Sequence, residues 1–293
     1  MPAVVDLEKC DVLSIEDERK AEGEIKDEDY YCCERAYGRF YRAILLPAGV
    51  QKDKIESEYK EGILKRKQLL INNRIRRYSE MAILSEEVRQ KVEDSLKGLK
   101  GWLKLVVFTQ EFECRSCGDN RMLMEELSAI SDKVDIEVLD FVGDKEKGKY
   151  YKVDKIPATV VEGKEDYGIR FYGIPGGYEF ASLIHAIKMV SSKSSALSTE
   201  AKEQLKTLSK PVHIQVFVTL TCPYCPTAVQ MAHEMAMESP LITSDMVEAT
   251  EFPYLNHKYN VAAVPKVVIN ETIDFEGAVP ESDFLKHVMR AGR

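Results

Sequence analysis

Apolar residues recur along this chain at helical and strand spacings, and from residue 85 onward the same order of elements is written twice. Ser85 is suited to cap a helix over residues 86–99, in which Val88, Val92, Leu96 and Leu99 share one face. The run LKLVVF, residues 103–108, reads as a strand, and residues 118–131 as a helix with Met122, Leu123, Leu127 and Ile130 on its apolar face. Residues 134–139 predict another strand and 145–151 a short helix. The run around Pro157 and residues 167–172 predict two more strands, and 180–190 a closing helix. A polar junction follows, SSKSSALS, from Ser191 to Ser198. The series then restarts. Ser198 or Thr199 caps a helix to about Leu208, and Val212–Val218 reads as a strand buried on both faces. Next come a helix over 228–237, a strand over 245–249, a helix over 254–259, strands at Pro265 and over 272–275, and a helix over 281–289.

The candidate chemistry repeats with the elements. Cys114-Arg115-Ser116-Cys117 and Cys222-Pro223-Tyr224-Cys225 each follow the first strand of their series, and their first cysteines lie 108 positions apart. Forty-three positions after each comes a proline in an apolar run, Pro157 and Pro265. Twenty-six positions after each comes an acid, Asp140 and Glu248. Coincident offsets of this kind mark an internal duplication. A cysteine at a helix N-terminus meets free N–H groups and the positive end of the helix dipole, which favour an anion. That setting lowers a thiol pKa from ~8.5 into the range of roughly 3.5–7.5 and yields a nucleophilic thiolate at neutral pH.

The composition narrows the choices. The 293 residues suffice for two or three small domains, and 44% of them are hydrophobic, enough for ordinary cores. A net charge of −8 argues against a nucleic-acid groove, which needs a positive surface. No apolar run approaches the ~20 residues of a membrane span, and the opening residues carry Asp6, Glu8 and Lys9, so no secretory signal is expected and a cytoplasmic location is. Of the seven cysteines, four form the two CxxC pairs. Zinc is the alternative reading of such pairs, but zinc ribbons usually place them roughly 15–20 residues apart. Here 104 residues intervene, and each pair has its own strand, helix and proline. The expectation is redox-active disulfides with no bound metal or other cofactor.

Residues 1–80 differ from the rest, being crowded with charge and holding Cys10, Cys32 and Cys33. Within them, Glu34-Arg35-Ala36-Tyr37-Gly38-Arg39-Phe40, Leu46-Pro47, Asp53-Lys54-Ile55 and Tyr59-Lys60-Glu61-Gly62-Ile63-Leu64 resemble the α-crystallin domain of small heat-shock proteins. After Leu64 the chain runs into KRKQLLINNRIRRYSE, where that family places a closing strand. The resemblance is partial, so a β-rich fragment, poorly ordered by itself, is expected.

Each later series is βαβαββα with a leading helix, the thioredoxin arrangement. The expected fold is therefore α/β: two tandem thioredoxin-like units, 81–194 and 195–293, behind the fragment. Cys222-Pro223-Tyr224-Cys225-Pro226, Met231-Ala232-His233, Met246-Val247-Glu248-Ala249, Val264-Pro265-Lys266 and Phe275-Glu276-Gly277-Ala278 resemble the glutaredoxin-like protein disulfide oxidoreductases of hyperthermophiles. So do Tyr167 to Gly173 and Glu179-Phe180 in the first unit. The resemblance implies a protein thiol–disulfide oxidoreductase in which Cys222 attacks, Cys225 resolves, and Cys114 and Cys117 form a second site. It also implies that Ile156–Pro157 and Val264–Pro265 are cis peptides whose loops bind an extended substrate. Glu248 and Asp140 are candidate proton acceptors, set against ordinary strand-end acids in water; His233 is expected to be a surface or packing residue. The partners implied are proteins carrying disulfides or thiols, with a flavin-dependent thioredoxin reductase as electron donor. Gly277-Ala278 departs from the Gly-Gly pair with which glutaredoxins hold glutathione. Two rival readings stay open, an electron-transfer module for a peroxidase and a holdase chaperone based on the first 80 residues.

Overall fold

A computed structural model of the chain describes residues 83–110 and 113–293 in full, and the strands at 4–8, 12–19, 38–45, 55–60 and 63–68 as backbone. The chain divides into Met1–Glu80 and Met81–Arg293. In the first part, β1 (Val4–Glu8), β2 (Val12–Arg19) and β3 (Gly38–Leu45) form an antiparallel sheet in that order, and β4 (Ile55–Lys60) pairs with β5 (Ile63–Gln68). Cys10, Cys32 and Cys33 lie outside the described residues.

The second part follows the expected order closely. Helix α1 (Glu86–Leu96) starts at Ser85, whose hydroxyl accepts the Val88 N–H, and buries Val92 and Leu96. It ends before Leu99, which is buried beyond the helix, because Gly98 favours leaving the helical conformation. Then come β6 (Leu103–Thr109), α2 (Cys117–Ile130), β7 (Val134–Asp140), α3 (Lys145–Tyr150), β8 (Ala158–Glu162), β9 (Asp166–Tyr172) and α4 (Glu179–Ser192). The repeat runs through α5 (Thr199–Leu205), β10 (Val212–Val218), α6 (Cys225–Glu238), β11 (Ile242–Glu248), α7 (Pro253–Tyr259), β12 (Lys266–Ile269), β13 (Ile273–Glu276) and α8 (Glu281–Ala291). Ser198 caps α5 by accepting the Ala201 N–H at 3.1 Å, as Ser85 caps α1.

The two repeats share one sheet. Its eight strands run β13-β12-β10-β11-β9-β8-β6-β7, and the join between the repeats is a parallel pairing of β11 with β9, from Ser244 against Ile169 to Val247 against Tyr172. Alternate strand residues feed opposite layers, as the period of two requires. Leu105, Val107, Ile214 and Val216 face the side holding α2, α4, α6 and α8, while Val106, Phe108 and Phe217 pack with Tyr151, Phe252 and Leu255. Burying side chains of this size contributes ~1.5–3 kcal/mol each relative to exposure. Arg170 on β9 is fully buried at the join, where Asp166 receives it through two bonds of 2.8 and 2.6 Å and the Tyr151 carbonyl through a third of 2.8 Å. A buried guanidinium without such partners would cost several kcal/mol. The register of this join decides which loops meet at the sites below.

Candidate active site

Strand β10 delivers the second dithiol to the N-terminus of α6, where Pro226 sits in the first turn and loses no hydrogen bond by lacking an N–H. Cys222 and Cys225 are joined as a disulfide with Cα atoms 5.5 Å apart. The Cys225 N–H donates to Cys222 Sγ at 3.2 Å, so a helix-terminal donor points at the sulfur that would carry charge. The same sulfur lies 3.8 Å from the carbonyl oxygen of Val264. The Val264–Pro265 bond is cis, and its loop is closed by the Gly277 N–H on the Pro265 carbonyl at 2.8 Å. Cys225 is fully buried and Cys222 is 8% exposed, whereas Tyr224 between them is 70% exposed. The reachable sulfur is that of Cys222.

The first dithiol has the same frame and different neighbours. Cys114 and Cys117 form a disulfide, again with Cα atoms 5.5 Å apart; Cys117 is buried and Cys114 half-buried. The Ile156–Pro157 bond is cis, and the Gly173 N–H meets the Pro157 carbonyl at 3.0 Å. Ser116 stands at the N-cap of α2 but does not cap it; its hydroxyl donates to Glu251 of the second repeat. Among the described residues, no hydrogen bond is made to Cys114 Sγ.

The two acids at matched offsets part company. Glu248, at the end of interior strand β11, is buried and accepts from the Thr250 hydroxyl at 2.6 Å and the Glu251 N–H at 2.8 Å. Burial raises its pKa above the usual carboxyl value, against the opposing effect of those bonds. Asp140 takes the other of the two alternatives, a strand-end acid in water. Its strand, β7, is the sheet edge, so its carboxylate is exposed and accepts the N–H groups of Val142 and Gly143 in the next turn. His233 is a packing residue and not a surface one: it is buried, stacks edge-on against Phe171 at 4.8 Å, and desolvation lowers its pKa to about 3.

An acid that the sequence reading did not single out as functional is Glu179, at the first turn of α4. It is fully buried, and neither carboxylate oxygen has a hydrogen-bond partner among the described residues. Burial pushes its carboxyl up to about 7. The residues before it lean on the loop to Cys222: the Tyr178 N–H donates to the Leu220 carbonyl at 3.0 Å, and Gly177 has φ +53° with that oxygen where a Cβ would be. Its signal was available, since Glu179 shares the i, i+4, i+8 stripe with Leu183 and Ile187, which are buried. Among the described residues, no group of three or more His, Cys, Asp or Glu is placed to hold a metal ion, and no helix is long and apolar enough to cross a membrane.

A buried sulfur and a reachable one at a helix N-terminus, beside a cis-proline and repeated in two fused thioredoxin folds, define a thiol–disulfide oxidoreductase. Comparison with known proteins agrees. The thioredoxin domain family matches residues 212–290, and the Hsp20/alpha crystallin family matches residues 4–71. A protein disulfide oxidoreductase from Aeropyrum pernix is 33% identical, with a TM-score of 0.68, over 71% of this chain and 93% of that one. This chain belongs to the protein disulfide oxidoreductases. The alkyl hydroperoxide reductase component AhpF from Enterococcus faecalis is similar at 25% identity and a TM-score of 0.66, over 70% of this chain and 99% of that one. Its namesake in Staphylococcus epidermidis is 36% identical over 121 residues, which are 41% of this chain and 24% of that protein. The chain spans about a quarter of the length of the curated relatives it matches, 28% and 24% for two of them.

Proposed function

We propose that this chain exchanges disulfides with protein substrates through Cys222 and Cys225, with Cys114 and Cys117 as a second site. The observation that carries the reading is the placing of Cys222 Sγ, which receives the Cys225 N–H and faces the Val264 carbonyl. In reduction, the Cys222 thiolate attacks a substrate disulfide; a bond forms between Cys222 and one substrate sulfur, and the other leaves as a thiolate and takes up a proton. Cys225, deprotonated, then attacks Cys222, forming the protein disulfide and releasing the second substrate thiol. Two electrons pass to the substrate, and the reverse sequence forms a disulfide. The backbone groups beside Val264 and Ile156 would pair with an extended substrate segment as a short added strand.

Cys225 needs a proton acceptor, since it is buried and its thiolate would be costly. Glu179 is offered for that role beside Glu248: it is buried on α4, which packs against the dithiol helix α6, and burial raises its pKa to about 7, where a general base works best. The electron donor in this reading is a flavin-dependent reductase and the setting is cytoplasmic; redox catalysis is a role that cysteine pairs also serve in reducing compartments. The likeness to the alkyl hydroperoxide reductase component AhpF favours a second reading, delivery of electrons to a peroxidase, for which one dithiol would suffice.

Insulin reduction by dithiothreitol tests the main reading. The chain should accelerate it, and a variant with Ser at 114, 117, 222 and 225 should not; equal rates with and without the chain would reject the proposal. Suppression of thermal aggregation by the same variant would assign a holdase role to the first 80 residues. We further propose that those residues are dispensable for exchange. A chain beginning at Met81 is then expected to fold and to reduce insulin as well as the full chain, and loss of most activity would show Met1–Glu80 to be integral.

A further inference from the structure

The duplication allows one loop to be compared with its own copy. Gly173 and Gly277 each follow the last strand of a repeat, each has φ +89°, and each donates its N–H to a cis-proline carbonyl. Around Gly277 the space where a Cβ would lie is open to 4 Å. At Gly173 that space is filled by Glu248 Cβ at 2.6 Å and Glu251 Oε1 at 2.7 Å. The sheet register is the cause. Pairing Val247 with Tyr172 carries the turn after β11 over the loop after β9, whereas β13 is the edge strand of the sheet. The position matching Glu251 in the first repeat is Gly143, so the second dithiol has no counterpart of this carboxylate.

Both oxygens of Glu251 are used. Oε1 accepts the Ile174 N–H at 2.7 Å, beside the loop that closes on Pro157, and Oε2 accepts the Ser116 hydroxyl inside the Cys114–Cys117 turn. We propose that Glu251 is a positioning residue for the first dithiol, supplied by the second repeat: it ties the CRSC turn to the cis-proline loop and holds a negative charge at the N-terminus of α2. A thiolate on Cys114 must form in that same field, so the carboxylate works against it. Among the described residues, the other charged groups at this place are Glu113 and Arg115 on the motif's own segment and Asp119 in the first turn of α2, all exposed, and Glu248 from the second repeat. Glu251 thus makes the first dithiol a weaker nucleophile source than the second, and does so from across the join.

The inference rests on the Cys114–Cys117 pair taking part in exchange, which the insulin assay tests separately; thiol acidity tests Glu251 even if that assay fails. The full chain, reduced with dithiothreitol and freed of it, is alkylated with iodoacetamide across a pH series, and the rate at each cysteine is read by peptide mass. Glu251→Gln should lower the Cys114 pKa by about one unit, a tenfold gain in thiolate below that pKa, and leave Cys222 unmoved. Ser116→Ala removes the link to the motif, but the Ile174 N–H still anchors the charge, so it should shift Cys114 by less than half as much. An unchanged or raised Cys114 pKa in Glu251→Gln, an equal shift at Cys222, or a full-sized shift in Ser116→Ala would each overturn the proposal.

Discussion

Cys222→Ser is expected to remove most of the insulin-reducing activity of this chain, a several-fold loss, whereas Cys114→Ser should leave a substantial share. Both dithiols occupy the same frame, so the bias must come from what surrounds each sulfur. At Cys222 a helix-terminal N–H donates to the sulfur at 3.2 Å, Pro223 stiffens the turn, and the cis-proline loop beside it is uncovered at Gly277. At Cys114 the loop is covered by Glu248 and Glu251, and the motif's serine is held by a carboxylate. Glu113 adds an acid directly before Cys114, and Arg115 only partly offsets the two; Glu111, a third acid near the motif, lies outside the described residues. A pKa one unit higher leaves about a tenth of the thiolate at neutral pH, worth ~1.4 kcal/mol. Nucleophilicity rises with pKa and returns part of that, which makes the bias several-fold and not absolute. Initial rates of insulin precipitation with each single variant decide the matter. A Cys114 variant more damaged than the Cys222 variant would show that neither local charge nor access ranks the two sites.

The sequence carried the elements and the cysteines because both are local signals. Apolar spacing placed each helix and strand of the second part within a few residues of its observed ends, and the equal offsets to Pro157 and Pro265 located two loops that are both cis. What it did not carry is the join between the repeats. Strand pairing between β9 and β11 has no local signature, since nothing in DYGIRFY or ITSDMVE names the strand that will lie beside it. Two alternatives that the sequence leaves open turn on that one gap. Asp140 and Glu248 share an offset, but β7 ends the sheet and β11 lies inside it, so one acid is in solvent and the other is not. His233 belongs to the face of α6 that meets Phe171 of the other repeat, a neighbour that the helix pattern alone does not supply. Glu179 was legible in principle, as a lone acid on an apolar helical stripe, a pattern that calls for a reason.

Glu179→Gln is expected to make the protein more stable and slower. The carboxyl has its pKa raised by burial from 4.5 to about 7. Below about pH 4.5 it is protonated both folded and unfolded and contributes no pH dependence. As the pH rises toward 7, the unfolded chain releases this proton while the folded chain keeps it, so stability falls through that window; above 7 the full cost of the buried charge is present. A shift of this size corresponds to ~3 kcal/mol at most, and relaxation around an ionised Glu179 would reduce it. Glutamine has nearly the same shape and no charge, so the variant should match the parent at pH 4 and exceed it by about 1–3 kcal/mol at pH 8 in urea unfolding of the oxidised form. Turnover should move the other way. Without a base for the Cys225 proton, resolution of the mixed disulfide slows, and insulin reduction near pH 7 should drop by about ten- to a hundredfold. Glu248→Gln, at a carboxylate one oxygen of which already receives two donors, should cost less. A stability gain with unchanged turnover would leave Glu179 as a buried charge with no part in proton transfer. Unchanged stability at pH 8 would mean that the carboxylate is solvated there and that burial does not hold its proton.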